Sequence, residues 1–130
     1  RKSILYFMKK ILLIEDDHIL SSLIKTKLEK EGYELITTPD GAAASELAVK
    51  EHPDLILLDF ELPHKNGLEV LEEIRNNPIG QSIPVVVISN SGSPVEVFRF
   101  QKLGVKDYFI KADLNLDELV KIVRNYLPEK

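Results

Sequence analysis

Short apolar runs and longer helical stripes alternate along this chain. Lys10 to Ile14, Leu55 to Leu58 and Ile83 to Ile88 are runs without polar alternation, and weaker strand patterns lie at Tyr33 to Thr37 and Asp107 to Ile110. Strands apolar on both faces need cover on both faces. The segments between them carry it. His18 to Glu31 places Ile19, Leu20, Leu23, Ile24 and Leu28 at helical spacing and stops at Gly32. Asp40 to Lys50 is alanine-rich behind a capping aspartate. Gly67 to Asn76 aligns Leu68, Leu71 and Ile74, and Pro94 to Leu103 opens on a first-turn proline. Leu114 to Leu127 repeats Leu116, Leu119, Val120, Val123 and Leu127, with Asn115 a possible cap. Five strands alternating with five helices predict an α/β fold, a parallel sheet with helices on both faces.

The size fits one domain: 130 residues, 44% apolar and 29% charged. Residues 1–8 read as an N-terminal extension, since Met8 would make a natural start; 9–127 read as the domain and 128–130 as a tail. The last helix ends close to the C-terminus, so no second domain is expected. Cysteine is absent, which excludes disulfides, thiolate metal sites and thiol catalysis. A net charge of −4 with scattered basic residues argues against direct nucleic-acid binding. The apolar run after Met8-Lys9-Lys10 ends within four residues at Glu15-Asp16-Asp17, too short for a signal peptide. No stretch approaches the roughly 20 apolar residues of a membrane span. A soluble, cytoplasmic protein is expected.

In a parallel sheet, ligands gather beyond the carboxyl ends of the strands. Those ends carry Glu15, Asp16 and Asp17 after the first strand, Asp59 after the third, Ser89 after the fourth and Lys111 after the fifth. Singly, each has an ordinary explanation, and Asp17 is most simply a helix cap. Jointly they point to chemistry. Converging carboxylates repel unless a cation is shared among them, and oxygen ligands select a hard ion such as Mg²⁺. That ion can neutralise a phosphoryl donor while a carboxylate attacks as nucleophile to form an acyl phosphate. Ser89 can donate to a phosphoryl oxygen, and Lys111 adds a point charge.

Across Lys9 to about Leu127 the chain resembles the receiver domains of two-component response regulators. The resemblance rests on Ile11-Leu12-Leu13-Ile14-Glu15-Asp16, Leu57-Leu58-Asp59 with Pro63 and Gly67, Pro84-Val85-Val86-Val87-Ile88-Ser89, and Gly104-Val105-Lys106-Asp107-Tyr108-Phe109-Ile110-Lys111. It implies a flavodoxin-like strand order and a stand-alone receiver that takes a phosphoryl group from a histidine kinase or phosphotransfer protein. Asp59 is then the phosphoacceptor. Mg²⁺ would be held by Asp16, Asp59 and the backbone carbonyl of Glu61, with Glu15 acting through water. Lys111 would contact the phosphate, and Ser89 and Tyr108 would switch the surface of the fourth helix, fifth strand and fifth helix toward a downstream protein. Such a domain is a signalling phosphoacceptor that assists its own phosphorylation and dephosphorylation.

Three positions depart from the family pattern. Ala112 follows Lys111 where proline in a cis bond is usual, and cis before alanine costs about 2.5–4 kcal/mol, so a trans bond or a strained cis one is expected. Asn90 replaces a small residue, and its bulk is expected to narrow access to Asp59. Ser89 replaces the commoner threonine but keeps the hydroxyl. His18, His52 and His64 fall on separate elements and are not expected to share a site. Phe98 and Phe100, about 200° apart on a helix, cannot both face the core. Two alternatives stay open: a small Mg²⁺-dependent phosphatase, since Asp59-Phe60-Glu61 faintly resembles the Asp-x-Asp opening of the haloacid-dehalogenase class, and a receiver-like interaction module that is not phosphorylated.

Overall fold

Strands β1 (Lys10–Ile14), β2 (Glu34–Thr38), β3 (Leu55–Asp59), β4 (Val85–Ser89) and β5 (Asp107–Ile110) form one parallel sheet in the order β2-β1-β3-β4-β5. In this computed structural model, residues 8–128 are described. Of the expected extension over residues 1–8, all but Met8 lies outside them, as do the last two residues of the expected tail. Helices α1 (His18–Lys30), α2 (Gly41–Glu51), α3 (Gly67–Asn76), α4 (Pro94–Lys102) and α5 (Leu116–Tyr126) connect the strands or follow the last.

The strands read apolar throughout because successive side chains enter two different cores. Ile11, Leu13, Leu55, Leu57, Val86 and Ile88 pack under α1 and α5, against Ile24, Leu28, Leu119 and Val123. Leu12, Ile14, Ile56, Leu58, Val85 and Val87 point the other way, against Ala44 and Ala48 of α2, Val70 and Ile74 of α3, and Phe100 of α4. Phe100 is fully buried and Phe98 is 56% exposed, as their spacing requires.

Most element ends agree with the sequence patterns, and the differences have local causes. Strand β2 starts at Glu34 because Tyr33 closes the turn after α1: its N–H donates to Leu28 O beside Gly32 at φ 97°, and its hydroxyl donates to Leu127 O. Strand β4 starts at Val85 because Pro84 has no N–H to donate, although its carbonyl accepts from Ile56. Helix α5 starts at Leu116, with the Asn115 side chain accepting from the N–H groups of Asp117 and Glu118. Before it, Lys111–Asp113 form a turn of 3₁₀ helix that the periodicity had not indicated.

The amino-terminal edge of the sheet is held by a residue the sequence did not single out. Arg75, on α3, donates to Leu103 O at 2.8 Å, Gly80 O at 2.7 Å and Ile83 O at 2.8 Å. One guanidinium thereby ties the connection into β4 to the end of α4, and burial lowers its pKa.

Candidate functional site

The strand order reverses between β1 and β3, which leave to opposite sides, and the crevice at their carboxyl ends is where such a fold binds ligands. Asp59, the last residue of β3, is 1% exposed there, and Glu15, immediately after β1, is 2% exposed. The turn beyond Asp59 needs glycine at position 67, because a Cβ there would stand 2.4 Å from Asp59 O.

Lys111, immediately after β5, reaches into this crevice from the same carboxyl edge of the sheet. Its Nζ donates to Asp59 Oδ2 at 3.0 Å and to Glu15 Oε2 at 3.2 Å. The N–H of Glu61 donates to Asp59 Oδ1, and that of Asp17 to Glu15 Oε2. Asp16 is exposed, yet it offers a carboxylate oxygen within 4.8 Å of oxygens of Glu15 and Asp59. These three form the one group of potential ligands found among the described residues. Asp17 stands outside it and caps α1, accepting from Ile19 and Leu20.

The charge balance of the crevice is uneven. Burial pushes the Asp59 carboxyl up to about 8, reinforced by Glu15 and opposed by Lys111. Burial acts against the Lys111 ammonium, but Asp59 and Glu15 outweigh it and raise its pKa. Glu15 Oε1 is buried with no hydrogen-bond partner. An unpartnered buried carboxylate oxygen beside two further carboxylates is a donor set that fits a cation, and an all-oxygen set suits a hard divalent ion.

The remaining expected residues lie on the β4 side. Ser89 is fully buried, and its Oγ stands 3.0 Å from both Glu61 Oε2 and Glu96 Oε2. Tyr108 is half-buried with its ring 5.9 Å from that of Phe100, and its hydroxyl donates to Ser91 O at 2.7 Å, away from Asp59. Asn90 is exposed, and its N–H donates to Glu61 Oε1. No cis peptide bond occurs among the described residues, so the Lys111–Ala112 bond is trans, and Lys111 still meets both carboxylates. His18 opens α1, His52 caps the end of α2, and His64 pairs with Asp40 in the connection after β3. The side chains of Glu61 and Glu96 were missed by the sequence reading. Their meeting at Ser89 joins three separate segments, and no periodicity within one segment encodes it.

A doubly wound parallel sheet with a buried carboxylate, a facing lysine and a shared acidic cluster at its switch point defines a class of phosphoryl-handling α/β domains. Residues 11–124 match the response regulator receiver domain, and the chain belongs to that family. It is 31% identical over 122 residues to sporulation initiation phosphotransferase F of Bacillus subtilis, covering 94% of this chain and 96% of that protein. It is 38% identical over 120 residues to the transcriptional regulatory protein CpxR of Escherichia coli K12, covering 92% of this chain but 50% of that protein. Among solved structures it resembles the receiver domain of a sensor histidine kinase of Pseudomonas aeruginosa PAO1, which has a magnesium ion coordinated in its active-site cleft. That likeness has a TM-score of 0.83 and 26% identity, covering 94% of this chain and 99% of that one. The protein is therefore a receiver domain of two-component signalling, a family of signalling phosphoacceptors. No helix among the described residues is long and apolar enough to cross a membrane.

Proposed function

We propose that Asp59 accepts a phosphoryl group from the phosphohistidine of a sensor kinase or phosphotransfer protein, in a Mg²⁺-dependent step. The observation that carries this reading is the buried Asp59 carboxylate, salt-bridged to Lys111 beside the orphaned oxygen of Glu15. Asp16 and Asp59 would hold the ion through their side chains, Glu61 through its backbone carbonyl and Glu15 through a bound water. When bound, the ion supplies neutralising charge for the transferring phosphoryl oxygens. An Asp59 oxygen attacks phosphorus as the bond to the donor nitrogen breaks, leaving an acyl phosphate on Asp59 and the electron pair on the departing imidazole. Lys111 then turns its charge to a phosphoryl oxygen, and the Ser89 hydroxyl donates to another. The same pocket, with water as the attacking group, would return the domain to its resting state.

Two apolar surfaces fit the two partners that such a relay requires. Ile19 and Leu23 stand exposed on α1, next to the site, where a kinase or phosphotransfer protein would dock. Val95 and Phe98 stand exposed on α4, with the Lys102 ammonium 5.0 Å from the Phe98 ring, where a downstream protein would read the state of the domain. Tyr108, tied to the connection before α4 through Ser91, is the ring that would reorient with that surface. The cytoplasm is the compartment in which this reading places the domain, with no direct role for nucleic acid or membrane.

The test uses acetyl phosphate with Mg²⁺, read by intact mass, followed by NMR with beryllofluoride. Excess chelator should abolish phosphorylation, and modification at an unchanged rate in chelator would refute the metal-dependent step. Ser89→Ala should still accept the group but transmit little of it to α4 and Tyr108. Shift changes there equal to those of the parent would refute Ser89 as the reporter.

A further inference from the structure

Ser89 is asked to satisfy more neighbours than a hydroxyl can. Its Oγ carries one hydrogen and two lone pairs. The N–H of Ser91 takes a lone pair at 3.1 Å. Two carboxylate oxygens, Glu61 Oε2 and Glu96 Oε2, each lie 3.0 Å away and compete for the one hydrogen. Both oxygens close on the same atom, so the two acids stand within a few ångströms of each other. Glu61 cannot easily withdraw, because its other oxygen accepts from the N–H of Asn90. Glu96 is half-buried in the first turn of α4. Burial raises its carboxyl above the usual range, the Ser89 hydrogen bond holds it down, and the Glu61 charge raises it again.

Helix α4 is free to respond at that end. Of its nine residues only Phe100, near the far end, is buried, and Ser93 at its start makes no side-chain capping bond. Arg75 pins the opposite end through Leu103 O. The Glu96–Ser89 contact is thus the polar tie between the first turn of α4 and the sheet.

We propose that Glu61, Ser89 and Glu96 form a charge-loaded latch, in which the single Ser89 hydrogen holds two like-charged carboxylates together until a phosphoryl group on Asp59 claims it. The inference rests on the phosphoacceptor reading of Asp59. No bond is made or broken in the latch itself; the hydrogen stays on Ser89 and changes acceptor. Once it turns to the phosphoryl oxygen, Glu61 and Glu96 face each other with nothing between them. Their repulsion moves the first turn of α4 outward about the end held by Arg75. The downstream surface at Val95 and Phe98 moves with it.

The experiment is amide NMR of the full chain with and without Mg²⁺ and beryllofluoride, on the parent, Glu96→Gln, Glu96→Asp and Ser89→Ala. Glutamine keeps the length and the acceptor but removes the repulsion, and its amide can donate to Glu61. Glu96→Gln should respond around Asp59 and Lys111 as the parent does, while its shift changes over residues 94–98 fall to less than half. Glu96→Asp, which keeps the charge, should retain most of the α4 response. Ser89→Ala removes the shared hydrogen permanently, so its α4 amides should already lie toward the activated positions without ligand. A parent that responds while Glu96→Gln responds equally over residues 94–98 overturns the latch and leaves the phosphoacceptor reading intact. Ligand-free Ser89→Ala with parent-like α4 amides overturns it as well, independently of how the Glu96 variants fold. A parent with no change around Asp59 overturns both readings.

Discussion

The two ends of this sheet bury charge in opposite ways. At the amino-terminal edge, Arg75 is surrounded by three carbonyls that each accept from it at 2.7 to 2.8 Å. At the carboxyl edge, Glu15 and Asp59 share one lysine, Asp16 approaches as a third carboxylate, and Glu15 Oε1 has no partner. The first arrangement is complete within the chain and holds loops in place. The second is deficient in positive charge and can be completed from outside. Buried polar groups are normally satisfied, so the end that departs from that rule is the end where a ligand belongs.

Among the substitutions, Arg75→Ala should show the largest effect on stability, about 2–4 kcal/mol by denaturant unfolding, since three part-buried carbonyls lose their donor. It should leave modification by acetyl phosphate unchanged, because the clasp lies at the far edge from Asp59. Loss of phosphorylation in a folded Arg75→Ala protein would break the separation of the two ends. Among the acidic residues, Asp16→Ala should lose far more Mg²⁺ affinity by calorimetry than Asp17→Ala. Asp17→Ala should instead lose about 1 kcal/mol of stability as the cap of α1. The reverse ranking of metal affinities would show that the acidic pair is misassigned.

More diagnostic is the pH response of the metal-free protein. The Asp59 pKa rises on folding from 3.8 to about 8, so the folded state holds that proton more tightly than the unfolded chain. The resulting stabilisation is fully present below about 4 and is lost as pH climbs through about 8. In chelator the melting temperature should therefore fall between pH 5 and 8 (roughly the interval between the two pKa values) more steeply for the parent than for Asp59→Asn. Equal slopes would remove Asp59 as the strained group.

Much of this was legible along the chain, for physical reasons. Runs such as Lys10–Ile14 and Leu55–Asp59 face helices on both sides, so they show as uninterrupted apolar segments. Their ends point to one edge, which made Glu15, Asp16, Asp59, Ser89 and Lys111 neighbours on topology alone. The contacts that depend on folding back were hidden. Arg75 is satisfied by backbone carbonyls, which carry no residue identity, and Glu96 meets Glu61 only because α4 starts above β3 and β4. Tyr33 and Pro84 belong to apolar runs in the sequence, yet each is set outside its strand by what its backbone or hydroxyl must bond.

The central claim, that the charge-deficient end exists to hold a phosphoryl group on Asp59, is tested most directly by intact mass after incubation with acetyl phosphate and Mg²⁺. The parent should gain the mass of one phosphoryl group, and Asp59→Asn, treated identically, should gain none. The same mass increase on Asp59→Asn, or no increase on the parent, would contradict the account.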